Sequence, residues 1–183
     1  MKISKAQAEE NRERIVGAAA TLFRERGFDG VSVSDLTKAA GFTHGGFYNH
    51  FKSKDVLAAE AVDSAFRTMA ARRERARDLT EMLTYYLSPA ARRAPGKSCP
   101  AAALGGDVGR QSDDLKTVFA SGVEQMIASV EERLPPSPDR REQALGIVTR
   151  MVGALMLARA VPDGALADEL LHTNLHLAIS EAT

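Results

Sequence analysis

Along almost the whole chain, apolar side chains recur every three or four residues, and the strict alternation of a half-buried strand takes over nowhere. In RERIVGAAATLFRERGF, Ile15, Ala18, Ala19, Leu22 and Phe23 fall on one helix face, and Gly27 is a natural stop. Ser32, with Asp35 three positions on, reads as a near capping box before Leu36 and Ala39, and Gly41 closes that helix. A further short helix starts within GFTHGGFYNHFKSKDVL, at residues 41–57, and a long one after Ser53 keeps Leu57, Ala61, Phe66 and Met69 in line. Leu79, Met82, Leu83 and Tyr86 mark a helix ending at Ser88-Pro89, and the small-residue segment after it reads as a loop around a helix near 100–108. Three stripes complete the chain: Leu115 to Val130, Ala144 to Leu155 and Leu166 to Leu175, separated by LPPSP and by Pro162 and Gly164. Ser137-Pro138 predicts the start of the middle one. The reading is all-α, about nine helices, with a division near residue 52 into segments 1–52 and 53–183.

Composition narrows the class. A hydrophobic content of 44% and a charged content of 26% suit a globular protein with a real core. The apolar run of about 18 residues needed to span a membrane is missing, and the N-terminus has no signal-peptide core, so a cytoplasmic protein is expected. The single cysteine, Cys99, excludes an internal disulfide framework. Charge is unevenly placed: residues 1–97 carry 17 Lys+Arg against 12 Asp+Glu, and residues 98–183 carry 7 against 12. A basic front half suits a polyanion partner. No phosphate-binding glycine loop, HExxH or paired nucleophile and base is present, so neither catalysis nor a cofactor is expected.

The front segment carries the functional signal. A helix ending at Gly41, a turn of three or four residues and a second short helix form a helix-turn-helix pattern, whose second helix lies in the major groove. That second helix has hydrogen-bonding side chains outward in Thr43, His44, Tyr48, Asn49 and His50, while Phe47 and Phe51 anchor it inward at i, i+4. Lys52 and Lys54 follow, where phosphate can be met. Gly45 and Gly46 disfavour helix by about 1 kcal/mol each relative to alanine, yet they strip the helix start of Cβ atoms and let its backbone approach DNA. His44 and His50 lie about 240° apart around a helix and cannot share a metal ion.

VSVSDLTKAAGFTHGGFYNHFKSKDVL resembles the DNA-binding signature of the TetR/AcrR family of transcriptional regulators. The matching residues are Phe23, Gly27, Phe28, Ser32, Leu36, Ala39-Ala40-Gly41, Phe47-Tyr48, His50-Phe51, Lys54 and Leu57, over roughly 12–57. The resemblance implies a ligand-responsive repressor that binds a double-stranded DNA operator as a homodimer and is released by a small molecule. Position by position, Ser32 and Thr43 would cap the two helices near phosphates, and His44 and Ser34 would read bases. Tyr48, His50 and Lys54 would hold the backbone. Asn49 stands where an aromatic is commoner and can pair with adenine or simply be solvated.

Beyond residue 60 the resemblance implies an architecture. The last two helices would form the dimer interface, with Gly146, Gly153, Ala154 and Ala158 letting a partner helix approach. The pocket for a small apolar or amphipathic effector would lie between 53 and 135, with Phe66, Met69, Met82, Tyr85, Tyr86, Leu104, Phe119 and Met126 as candidate walls. Cys99 sits at a helix start with Lys97, Arg92 and Arg93 nearby in sequence. Such surroundings favour a reactive thiolate, so Cys99 is a candidate redox or electrophile sensor, or else a small buried residue. RRERAR at 72–77 reads as a solvated face, and Asp168, His172 and His176 as a polar stripe; no metal is expected.

Overall fold

The computed structural model of the protein describes residues 4–42 and 44–182, and of His44 and Gly45 the backbone alone. Among the described residues the regular structure is entirely helical. It comprises α1 (Lys5–Arg26), α2 (Val33–Ala40), α3 (His44–Phe47), α4 (Lys54–Glu74), α5 (Leu79–Tyr86), α6 (Pro89–Arg93), α7 (Pro100–Val108), α8 (Asp113–Glu131), α9 (Arg140–Ala160) and α10 (Ala165–Glu181), with a 3₁₀ turn at Pro95–Lys97. Nine of these are the helices the periodicity predicts. The tenth, α6, is a single turn inside the expected loop, set by the Ser88 hydroxyl accepting from Ala91 N at 3.1 Å and by Pro89 at the first helical position.

Local chemistry sets most boundaries. The Ser32 side chain accepts from Asp35 N while Asp35 accepts from Ser32 N, a complete capping box. Ser53, Asp78 and Ser112 cap α4, α5 and α8 in the same one-sided way. Gly41 ends α2 at φ 77°, a left-handed conformation that a side chain disfavours. At α9 the expectation is displaced by two residues: Ser137 accepts from Asp139 N at 3.2 Å, closing a turn of its own, and the helix begins at Arg140.

Packing ties the front to the rear. α1 and α8 both lie against α4, α9 packs on α8, and α10 returns beside α9, where Arg150 and Glu181 form an ion pair. One buried cluster runs from Ile15 through Phe51, Leu57 and Phe66 to Leu155 and Ala178, so the core is continuous across residue 52. The α4–α8 crossing is close because α8 offers Gly122: a Cβ there would overlap the buried Phe66 ring, which meets Phe119 edge-on at 5.5 Å. Gly122→Ala should therefore destabilise by about 1–3 kcal/mol despite its better helix propensity, measurable as a lower denaturant midpoint; a stabilised variant would contradict the packing.

Candidate functional site

The helix-turn-helix end is built on two phenylalanines. Phe47 and Phe51 are 0% and 1% exposed, with ring centroids 5.7 Å apart. The helical hydrogen bonding that starts in α3 continues past it, Phe51 N donating to Phe47 O at 3.0 Å. With these rings inward, Tyr48 is left 59% exposed and Asn49 is exposed beside it. His50 is half-buried, its ring edge-on to Phe42 at 6.3 Å.

α1 supports this corner from below with two arginines that sequence periodicity does not single out. The Arg12 guanidinium lies 4.4 Å from the Phe51 ring centre and pairs with Glu60, joining α1, α4 and the segment after α3. Arg14 stacks over Phe42 at 5.1 Å and donates to Ala40 O at 2.9 Å, holding the end of α2. Their only sequence signal is a basic pair among Glu9, Glu10 and Glu13, which an exposed helix would share.

The candidate DNA-contacting residues divide. Ser34, Tyr48 and Asn49 are exposed. Ser32 is exposed too, with its hydroxyl engaged by Asp35, whose carboxyl pKa is lowered by that hydroxyl and then by Ser32 N. Lys54 turns inward: its ammonium donates to Phe28 O, tying the start of α4 to the α1–α2 corner, while Lys52 is exposed. Gly46 is half-buried in α3. Thr43 lies outside the described residues, as do the side chain of His44 and the surroundings of Gly45.

Behind the corner, between α4 and α5, is a cavity of about 400 Å³, in the range of small-molecule sites. Met69, Met82, Tyr85 and Tyr86 line it as expected, joined by Arg72, Arg73, Arg75, Ala76 and Glu81. Phe66, Leu104, Phe119 and Met126 are not in its wall; they belong to the packed interior around α7 and α8. The tract RRERAR is not a solvated face throughout, because Arg73 is 7% exposed. Burial lowers the Arg73 guanidinium pKa, against the opposing pull of Cys99, and holds the Tyr86 phenol well above its ordinary value, where Cys99 adds to the rise.

Cys99 stands at the start of α7 as predicted, but it is 1% exposed with Sγ 3.7 Å from the Met126 sulfur. The cations that reach it electrostatically are Arg24, Arg73 and Arg159, delivered by α1, α4 and α9. Arg92, its neighbour in sequence, turns away to Asp163 and the carbonyl of Val161. The Tyr86 hydroxyl lies beside the thiol without a hydrogen bond of normal geometry to it or to any other described group.

On the far side, Leu145, Met156 and Leu157 of α9 and Leu166 and Leu177 of α10 are 42–56% exposed. Gly146 and Gly153 face open space, whereas Ala154 and Ala158 are 4% and 0% exposed and pack inside the subunit instead of outward. His172 and His176 meet edge-on at 4.8 Å on the exposed side of α10, and among the described residues no three side chains gather into a metal-holding group. No helix among them is long and apolar enough to cross a membrane.

Known proteins share both the motif and the fold. The family model for bacterial regulatory proteins of the tetR family matches residues 15–61. The HTH-type transcriptional regulator YdgC of Bacillus subtilis is 39% identical over 79 residues, 43% of this chain and 37% of its own length. The HTH-type transcriptional repressor NemR of Escherichia coli is 25% identical over 144 residues, 72% of this chain and 71% of NemR. In the first curated relatives, the matched stretch is 26–37% of their own length. A TetR transcriptional regulator from Chloroflexus aurantiacus superposes with a TM-score of 0.77 at 27% identity, covering 95% of both chains. Residues 15–61 thus carry the DNA-binding segment of the tetR family of bacterial regulatory proteins, and the whole fold is similar to that of TetR transcriptional regulators.

Proposed function

We propose that the protein is a ligand-responsive DNA-binding transcriptional regulator, a repressor that leaves its operator when a small molecule occupies the α4–α5 cavity. The observation that carries this reading is α4 itself. It starts just after the Phe47–Phe51 anchor and carries Arg73, in its last turn, into the cavity wall, so one rigid element touches both sites. Residues 1–52 then serve recognition, with Ser34, His44 and Asn49 toward bases and Ser32, Thr43, Tyr48, His50 and Lys52 toward phosphate. Lys54 acts by fixing the corner. Residues 53–183 serve ligand binding and pairing.

Two copies joined through α9 and α10 present two reading helices to half-sites about one DNA turn, 34–36 Å, apart. Occupying the cavity favours another setting of the pair, and release follows only if the ligand prefers that setting. The relative NemR is a repressor, which supports repression here. A sensor built on Cys99 draws no support from a thiol that is 1% exposed.

Anisotropy titration against DNA upstream of the protein's own gene tests the reading. Binding should be about 10³-fold tighter than to scrambled DNA at matched salt; equal binding would overturn it. Lys52→Ala should weaken all DNA alike and lower the salt slope by about one.

A further inference from the structure

A second tie runs from the helix-turn-helix corner to α9, and it bypasses α4. Residues 91–98, the end of α6 and the 3₁₀ turn after it, lie between α1 and α9. On the α1 side, Arg24 donates its Nε to Ala20 O at 2.7 Å and its Nη1 to Ser98 O at 2.8 Å. Gly96 lets the turn come this close, since a Cβ there would overlap the Glu25 side chain. On the α9 side, Arg159 donates to Ala91 O at 2.8 Å, to Arg92 O at 3.3 Å and to the Ser98 hydroxyl. Arg92 returns the contact, donating to Ala158 O at 2.5 Å and Val161 O at 2.9 Å. Two arginines therefore share Ser98, one on its carbonyl and one on its hydroxyl, which itself donates to Pro95 O at 3.2 Å.

Arg24 and Ser98 are 9% and 4% exposed, and among the described residues no ion pair reaches Arg24 or Arg159. Apolar side chains of similar volume would hold such a junction at least as firmly. What directional bonds to a buried guanidinium add is one defined register. α1 is a rod fixed at two points: Arg12 and Arg14 hold the corner at Phe51 and Phe42, and Arg24 holds Ser98 about 15–18 Å further along. A swing of about 10° about Ser98 would move the corner by about 3 Å, close to the rise of one base pair. Arg159 stands next to Met156 and Leu157, on the exposed apolar side of α9. We propose that Arg24, Ser98 and Arg159 are positioning residues that set the angle of the reading corner against α9, and with it the half-site spacing the paired protein accepts. This rests on the reading of the chain as a paired DNA-binding regulator and adds what determines its spacing.

Anisotropy titration of the full chain, Ser98→Ala and Arg24→Lys tests it. The probes are the DNA upstream of the protein's own gene, the same duplex with one or two base pairs inserted at its centre of symmetry, and the duplex with one half scrambled. Ser98→Ala deletes only the hydroxyl between Arg159 and Pro95, and Arg24→Lys keeps the charge while a single ammonium replaces the planar fork. In the parent, each insertion should weaken binding at least about tenfold, because the second half-site can no longer be engaged together with the first. In both variants that loss should shrink to about threefold or less, with affinity for the half-scrambled duplex within about twofold of the parent. A spacing profile as steep in either variant as in the parent would overturn the proposal and leave the paired reading standing. A uniform loss on every duplex that follows a fall in melting temperature would overturn it too, by making the contact merely structural. If the parent binds all the duplexes alike, the paired reading falls and the proposal with it.

Discussion

Leu157→Glu should leave the subunit folded, make the protein monomeric, and lower operator affinity by about two orders of magnitude or more. In the isolated subunit Leu157 is 51% exposed, so a carboxylate there stays in water and the interior does not feel it. In a pair joined through α9 and α10 it would be buried without a partner, against the exposed Leu145, Leu166 and Leu177 of the facing copy. Single-chain proteins rarely leave such an apolar face to water, and the bare backbone at Gly146 and Gly153 gives a partner helix room to approach. The affinity loss follows because two linked reading helices bind the second half-site intramolecularly, and a monomer forfeits that gain. Sedimentation velocity reads the first effect and anisotropy the second. A variant that stays dimeric, or a monomer that binds the operator undiminished, refutes the assignment.

What the sequence discloses depends on the range of the interaction. Caps act within four residues, so Ser32 with Asp35, Ser53 and Gly41 are legible from the order of residues alone. Periodicity likewise fixes which face of each helix is apolar. It does not say what covers that face, and α9 shows the consequence. Its small residues read as one approach surface, but Ala154 and Ala158 turn inward while Gly146 and Gly153 turn out. The cavity fails for a related reason. Its methionines and tyrosines have the composition of a wall, whereas Arg73 lies in a tract that reads as solvated and yet is buried, its carbonyl accepting from Arg133, sixty residues along the chain. Arg12 and Arg14 stack on rings far along the chain, and no local pattern encodes such a pairing. The glycine pair is intermediate: poor helix propensity at Gly45 and Gly46 agrees with an α3 of only four residues. Why the chain accepts so weak a helix at its reading surface becomes clear from what holds it.

Phe47→Ala should destabilise the protein by about 3–5 kcal/mol, a fall in melting temperature of about 10 °C, and abolish specific DNA binding. With two glycines in its single turn, α3 has little intrinsic stability, so its position is set by docking. Phe47 is the centre of that docking: 0% exposed, 5.7 Å from Phe51 and 5.2 Å from Tyr48, with Arg12 completing the stack over Phe51. Truncation leaves a cavity that the neighbouring rings cannot close without moving the segment that faces DNA. The adjacent residue supplies the contrast. Tyr48→Phe keeps the ring against Phe47 and should leave melting nearly unchanged, yet lower operator affinity about tenfold by deleting a neutral phosphate donor, with no change in salt slope. Equal melting losses for both variants would mean that the exposed ring of Tyr48 is structural. Unchanged binding in Tyr48→Phe would mean that DNA meets the backbone of α3 instead, which is the one surface its glycines leave bare.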